Sequence, residues 1–207
     1  MAIKIIAKEF FSMRKLPPLF FYCVFILLAG CVSANPGNST ADSYVPATPN
    51  SLSETRRQII QKAAAYIGTP YRSPPNVPST FDCSGYVSYV YGHFGHDLPK
   101  STGAYGNVGT RIDWKDAQPG DILVFANAKG GSRVDHVALL WEKSKNGELA
   151  GSLLIHAASI NTGASMLQGN PGTRTGVVIT QLGLRGDGKI DNEYFYQRFM
   201  FCTRVLK

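Results

Sequence analysis

One cysteine and two histidines occupy settings that could support nucleophilic catalysis. Cys83 lies in the segment FDCSG, directly before a run of residues with helical periodicity. His136 and His156 lie in two later apolar segments, RVDHVALLW and LLIHAAS. A thiolate becomes an effective nucleophile when a neighbouring imidazole takes its proton and a further polar group orients that imidazole. The three residues therefore form a candidate catalytic set.

Cys83 lies where a helix is predicted to begin. Asp82 is a suitable N-cap, which places the thiol at the first helical position, with Val87 and Val90 on the same face. The start of a helix favours an anion, so we expect the thiol pKa to fall below its usual value of about 8.5, with an imidazolium countering the nearby Asp82 carboxylate. We expect Gly85 to leave room for a substrate. The alternative is that Cys83 is a small buried hydrophobic residue.

The two histidines are predicted to be neighbours across a β-hairpin. The connection EKSKNGEL contains Asn-Gly at 146–147, a sequence typical of tight turns. A two-residue loop there would pair His136 with Ala157 and leave the two rings on opposite faces. A three-residue loop that ends on a left-handed Gly147 pairs His136 with His156 on one face. We expect the second register, because an orienting group must lie beside the base.

The elements that would position this set are two helices followed by strands. Helical periodicity predicts one helix over 53–68, with Ser53 as its N-cap, and a second from about Cys83 to Phe94. Prolines make 71–80 a loop. Five strands are predicted at 121–126, 133–142, 151–159, 176–182 and 196–206. Helices first and strands after predict an α+β fold, with N-terminal helices packed on a mainly antiparallel sheet of five to six strands.

The first thirty residues resemble the signal peptide of a bacterial lipoprotein. Their apolar run, 19–28, is shorter than the about 20 residues of a spanning helix, and it leads into LAGC. This segment is similar to a lipobox, so residues 1–30 would be removed and Cys31 would carry the lipid, palmitate included. Because Val32 follows, the resemblance implies a lipid anchor at the periplasmic face of the outer membrane. An ordinary secretory signal cleaved near Ala34 is the alternative.

The remaining chain divides into a tether and one domain. Residues 31–52 are rich in Pro, Asn, Ser and Thr and read as a flexible segment, whereas 53–207 form one domain. Residues 1–30 hold four basic residues and one acidic residue, so their removal lowers the net charge from +7 to +4. No cluster of Lys and Arg with interleaved aromatic residues occurs, so we predict no nucleic-acid binding. We expect a monomer.

Several motifs, in order, resemble those of the NlpC-type cell-wall cysteine peptidases, a papain-like family. FDCSGYVSYVY is similar to the nucleophile motif of that family, and DHVALL and LIHAAS are similar to its two histidine strands. AQPGDILVF matches its strand entry, while IGTPYR, DLPKSTGAY and YQRFMFCTRVL match flanking segments. The resemblance covers nearly the whole of the predicted domain and implies a papain-like fold.

The same resemblance implies roles for individual residues. Cys83 would be the nucleophile, His136 the general base, and His156 the group that orients His136. The candidates for contact with the oxyanion or substrate are Tyr71, Asp82 and Ser84. The implied reaction is cleavage of peptidoglycan stem or cross-link peptides, commonly between D-glutamate and the diamino acid, with no cofactor and no metal.

Two departures from the family pattern bear on the substrate. SPPNVPST, at 73–80, replaces a Trp-Gly-Gly segment, and Tyr105 replaces a glutamine. We expect both changes to lie near the substrate groove, and the long loop 160–174 is a candidate border of that groove. Other uses of the domain are an amidase or acyl-transferase with the same triad, or a non-catalytic envelope scaffold. The cysteine and two histidines could also hold zinc.

Overall fold

The structure is a computed structural model, and its described residues are 53–159, 166–168, 175–183 and 193–207. The predicted signal peptide and tether, including Cys31, lie outside the described residues, as does most of loop 160–174. All described residues belong to one unit, Asn38–Lys207. Within the described ranges, no helix is long and apolar enough to cross a bilayer.

Two helices precede the sheet, as predicted. Helix α1 spans Glu54–Ala64 and helix α2 spans Cys83–Gly92. They begin after the predicted caps, Ser53 and Asp82, because the apolar residues that follow recur at helical spacing and bury one side of each helix. A four-residue helix α3, Glu193–Tyr196, precedes the last strand and was not predicted.

The described residues contain seven strands. They are β1 (Thr110–Ile112), β2 (Ile122–Ala126), β3 (Val134–Glu142), β4 (Leu153–Ala158), β5 (Met166–Gln168), β6 (Gly176–Gln181) and β7 (Phe199–Arg204). They form one sheet in the order β1-β7-β2-β3-β4-β6-β5, with every pairing antiparallel. The five predicted strands are all present, and the two additional ones are three-residue strands at the edges. The predicted α+β architecture is confirmed.

Both faces of the sheet are buried, and β3 illustrates why. Its alternate residues Val137 and Leu139 face the core that contains α1 and α2. Leu140 faces a second core on the other side, which includes Phe195 of α3. Because neighbouring side chains point to opposite faces, a strand buried on both sides reads as a continuous apolar run. Each such side chain stabilises the fold by about 1.5–3 kcal/mol.

A buried carboxylate ties the helices to the sheet at the start of β2. Asp121 is fully buried and accepts hydrogen bonds from Arg56 of α1 at 3.0 Å and from Arg204 of β7 at 2.8 Å. It also accepts the backbone N–H of Gln118 at 2.8 Å, which closes the turn before β2. Because all three donors converge on one side chain, Asp121 fixes α1, β2 and β7 relative to each other.

Candidate active site

The thiol of Cys83 lies at the first position of α2. The side chain of Asp82 accepts the backbone N–H of Gly85 at 2.6 Å, so the predicted N-cap is present. Cys83 is only 6% exposed and belongs to the core between α2 and the sheet. The apolar periodicity of α2 therefore directs the thiol towards the sheet, as expected from the sequence.

Gly85 serves the helix cap, and it also lines a cavity beside α2. A Cβ atom at this position would lie 2.7 Å from Oδ1 of Asp82 and 3.2 Å from Cγ of Pro75. That Gly85 leaves room for a substrate stays a prediction. Its missing side chain lets the Asp82 carboxylate reach the end of the helix.

Three neutral donors surround the sulfur of Cys83. Its Sγ lies 3.5 Å from Oγ1 of Thr102, which opens the 3-10 turn Thr102–Asn107. The backbone N–H groups of Val137 and Ser84 also form hydrogen bonds that favour its thiolate. The sequence did not single out Thr102, because a threonine in a loop carries no pattern of its own.

The thiol pKa differs from the sequence expectation. Burial raises the pKa of Cys83 above its ordinary value, the hydrogen bonds from Thr102 and Val137 oppose this shift, and the Asp82 charge adds to it. The expected lowering at the helix start is therefore wrong for this structure, because removal of the thiol from water outweighs the donors around it. Cys83 is therefore a thiol at rest, and forming its thiolate would require a base.

The two histidines form a hydrogen-bonded pair. Nε2 of His136 lies 2.7 Å from Nδ1 of His156, and the ring centroids are 4.9 Å apart with the planes at 85°. The other nitrogen of His156, Nε2, lies 2.9 Å from Oγ1 of Thr180 in β6. The other nitrogen of His136, Nδ1, makes no hydrogen bond to His156.

The register of the β3–β4 hairpin differs from the predicted one. Leu139 pairs with Ile155, which is two residues away from the register that would set His136 opposite His156. Residues 143–152 join the strands, so the connection is longer than the predicted three-residue loop. The predicted register is wrong, but a shift of two preserves the face on which each side chain lies. The two imidazoles are therefore on one face, as predicted, but as diagonal neighbours.

Both imidazoles are held neutral. Burial lowers the pKa of His136 to about 3. Burial, and then the repulsion that a protonated His136 would exert, lowers the pKa of His156 well below its usual range. The ring of Phe195 packs against both, with centroid distances of 4.9 Å and 5.0 Å. An uncharged imidazole with a free lone pair is the form that can accept a proton.

The thiol and the imidazole pair have different surroundings: Cys83 packs in the core with α1 and α2, whereas both rings pack on Phe195 of the second core. Strand β3 connects the two. Sγ of Cys83 accepts a hydrogen bond from the backbone N–H of Val137, the residue that follows His136. The His136 ring itself packs on Phe125 and is partly exposed, near the start of the strand. Among the described hydrogen bonds, none joins Sγ to a ring nitrogen. The expected contact between Cys83 and His136 is therefore not present among the described residues.

The other three candidates lie around Cys83 in different settings. Tyr71 is partly exposed; its pKa is raised first by burial and then by the charge that Cys83, when ionised, and Asp82 carry, so its hydroxyl lies within electrostatic range of the Cys83 thiol. Ser84 is 2% exposed, and its hydroxyl donates to the carbonyl of Lys100 at 3.0 Å. The Ser84 side chain thus orders the following loop, and Asp82 caps α2.

The two family departures do not share one location. Tyr105 is fully buried, and its hydroxyl donates to the carbonyl of Ser84 at 3.4 Å, directly after Cys83. That it lies near a substrate groove stays a prediction. From the segment 73–80, Pro75, Asn76 and Val77 line a cavity of about 670 Å³ beside the outer side of α2.

The sequence matches the NlpC/P60 family over residues 68–180, which is more than half of the chain. The probable endopeptidase p60 of Listeria monocytogenes is 41% identical over 81 residues, which cover 39% of this chain and 16% of that protein. A probable endopeptidase of Corynebacterium glutamicum is 37% identical over 71 residues, 34% of each chain. The chain thus spans about a sixth and about a third of these relatives.

A solved structure shares the fold. An NlpC/P60 family protein from Bacillus cereus superposes with a TM-score of 0.55 at 23% identity, covering 79% of this chain and 42% of that chain. The family match, 68–180, contains Cys83, His136 and His156.

Proposed function

Because the chain belongs to the NlpC/P60 family, we propose that it is a peptidoglycan hydrolase, a cysteine endopeptidase that cleaves stem or cross-link peptides. The observation that supports this most is the pairing of His136 with His156 on β3 and β4, together with the capped helix start that holds Cys83. The two relatives described above are named probable endopeptidases. A nucleophile, a base and an orienting group are the parts that acyl transfer from a peptide requires.

In the proposed reaction, His136 removes the thiol proton as sulfur attacks. Its Nε2 is bonded to His156, so Nδ1 accepts the proton of Cys83. Sγ forms a bond to the carbonyl carbon, and the C–N bond breaks as the imidazolium returns the proton to the leaving amine. Water, deprotonated by the same imidazole, then hydrolyses the thioester and restores the thiol.

The surrounding donors would act on the charge that develops. The Thr102 hydroxyl and the Val137 N–H steady the thiolate as its proton leaves. The hydroxyl of Tyr71 is our candidate for a donor to the tetrahedral oxyanion, since it lies in the field of Cys83. Donors placed where charge develops in the transition state lower the barrier, typically by about 2.7–4 kcal/mol each.

Product masses test the function. The mature protein is incubated with purified muropeptides, and the products are identified by mass. We expect peptide bonds within the stem or cross-link to be cut by the parent and not by Cys83→Ala. Cys202→Ala is the matched control, because that thiol is equally buried but lies in the second core.

Other products would redirect the assignment. Release of the whole stem from the glycan would indicate an amidase, and transfer of an acyl group to a second molecule would indicate an acyl-transferase. No change in any muropeptide, with Cys83 inert to alkylation, would favour a non-catalytic scaffold and contradict the proposal.

We further propose that the protein is a lipoprotein of the cell envelope. The LAGC segment supports removal of residues 1–30, lipidation of Cys31, and a tether over 31–52 that leads to the domain 53–207. Fractionation of cells expressing Cys31→Ala tests this, with Cys23→Ala as a control inside the apolar run. We expect only the first variant to leave the membrane fraction; equal retention of both would contradict the anchor.

A further inference from the structure

The hydrogen bonds of the imidazole pair continue one residue further, into β6. Oγ1 of Thr180 lies 2.9 Å from Nε2 of His156, whose side chain is fully buried, and Thr180 itself is 1% exposed. We propose that Thr180 is a positioning residue that fixes the tautomer of both histidines and so leaves His136 able to act as a base. This inference rests on the proposed function, because it assigns a role within that reaction.

Two neutral proton arrangements satisfy this chain of three residues. In the first, His136 donates from Nε2 to Nδ1 of His156, and His156 donates from Nε2 to Oγ1 of Thr180. In the second, every hydrogen bond is reversed: Thr180 donates to His156, and His156 donates from Nδ1 to Nε2 of His136. A neutral imidazole has one donor and one acceptor nitrogen, so the tautomer of one ring determines the tautomer of the other.

Only the first arrangement supports catalysis. It leaves a lone pair on Nδ1 of His136, the nitrogen that is not engaged by His156. In the second arrangement Nδ1 carries the proton, so it can take none from Cys83. The raised pKa of Cys83 keeps its proton on sulfur, so Cys83 is a donor. In the first arrangement, the unprotonated Nδ1 of His136 is an acceptor that could take this proton.

The hydroxyl of Thr180 can fix the tautomer because water has no access to this end of the chain. His156 and Thr180 lie on the adjacent strands β4 and β6, where His156 pairs with Val178 and Leu154 pairs with Thr180. A buried N–H without an acceptor costs about 1–3 kcal/mol. As acceptor, Thr180 removes this cost from the Nε2–H form of His156, whereas a residue without an acceptor would favour the reversed arrangement.

Variants of Thr180 separate its hydroxyl from its volume. Thr180→Val keeps the shape and removes the acceptor, while Thr180→Ser keeps the acceptor. We expect Thr180→Val to lower kcat by at least about tenfold with KM little changed, up to the about 10⁴-fold that a wrong histidine tautomer costs in a serine protease. We expect Thr180→Ser to recover most of the loss. Thr203→Val is the control, since Thr203 is a buried strand threonine whose hydroxyl donates to Val108 instead.

The tautomers can be read directly by NMR of full-length mature protein labelled with 15N-histidine. The chain has four histidines, and His136→Gln and His156→Gln assign the two relevant rings. We expect both rings of the parent, and of Thr203→Val, to carry the proton on Nε2. We expect Thr180→Val to move a measurable fraction of it to Nδ1.

Two results would overturn the inference. One is a parent spectrum in which His156 carries its proton on Nδ1. The other is a Thr180→Val protein that keeps both the parental tautomers and the parental kcat. If Thr180→Val does not fold, the parent and Thr180→Ser spectra still decide. A parent that has the expected tautomers but cleaves no envelope peptide would count against the proposed function alone.

Discussion

Acidification should destabilise the domain through its buried imidazole pair. Burial lowers the pKa of His156 and His136 in the folded protein, so both stay neutral there. In the unfolded chain each histidine takes up a proton near pH 6.5. Below that pH the unfolded state therefore binds more protons than the folded state, so the free energy of unfolding decreases as the pH is lowered. The decrease begins near pH 6.5 and continues until His136 is itself protonated in the folded protein, near pH 3.

The size of this effect follows from proton linkage. A histidine that stays neutral when folded and titrates at about 6.5 when unfolded costs about 1.9 kcal/mol between pH 7 and pH 5. His156 is fully buried and should contribute all of this. His136 is partly exposed, so the same figure is its upper bound. The expected loss is thus about 2–4 kcal/mol, a substantial part of the about 5–15 kcal/mol that stabilises a typical domain.

Urea unfolding of the mature protein at pH 7, 6 and 5 measures this loss. His156→Gln removes one buried imidazole, so we expect its stability to fall by about 2 kcal/mol less than that of the parent over this range. His93→Gln is the matched control, because the His93 side chain is exposed at the end of α2. Equal pH dependence of the parent and His156→Gln would refute the claim that this ring is buried and neutral.

Two further predictions concern the nucleophile and the buried carboxylate. Thr102→Val should raise the pH midpoint for iodoacetamide labelling of Cys83 by about one unit, since a hydrogen bond to a thiolate is worth about 1.5 kcal/mol. Thr102→Ser keeps the hydroxyl and should label like the parent. An unchanged midpoint in Thr102→Val would contradict this prediction. Asp121→Ala should lower the free energy of unfolding by about 3–5 kcal/mol, because it leaves the buried Arg56 without its carboxylate partner. Asp113 belongs to an exposed ion pair, so Asp113→Ala should lower it by under about 1 kcal/mol in the same urea titration. Equal losses in the two variants would contradict the buried network.

Local patterns predicted the helices and the five main strands. Asp82 was identifiable as a cap because a small polar residue directly before apolar residues at helical spacing usually marks the start of a helix. The edge strands β1 and β5 have three residues each, too few to show a period of two. Helix α3 has four residues and owes its existence to packing of Phe195 in the second core.

The hairpin register and the titration of the site depended on tertiary structure. Gly147 adopts the predicted positive φ, 76°, but the connection continues to a second such glycine, Gly151, so the dipeptide alone did not determine the register. The pKa of Cys83 was misjudged because the sequence shows the helix start but not how far the thiol is buried. Thr180 was missed, since a threonine in an apolar strand usually only packs there.

A covalent intermediate on Cys83 is the most direct test of the account. Mature protein is mixed with a muropeptide, quenched in acid within one turnover and measured as an intact mass, and the adduct is located by peptide mapping. We expect a mass increase equal to the acyl part of the cleaved peptide, on the fragment that contains Cys83, with none in Cys83→Ala and much less in His136→Ala. Cleavage by Cys83→Ala at the parental rate, or parental cleavage with the acyl group on another residue, would contradict the central claim.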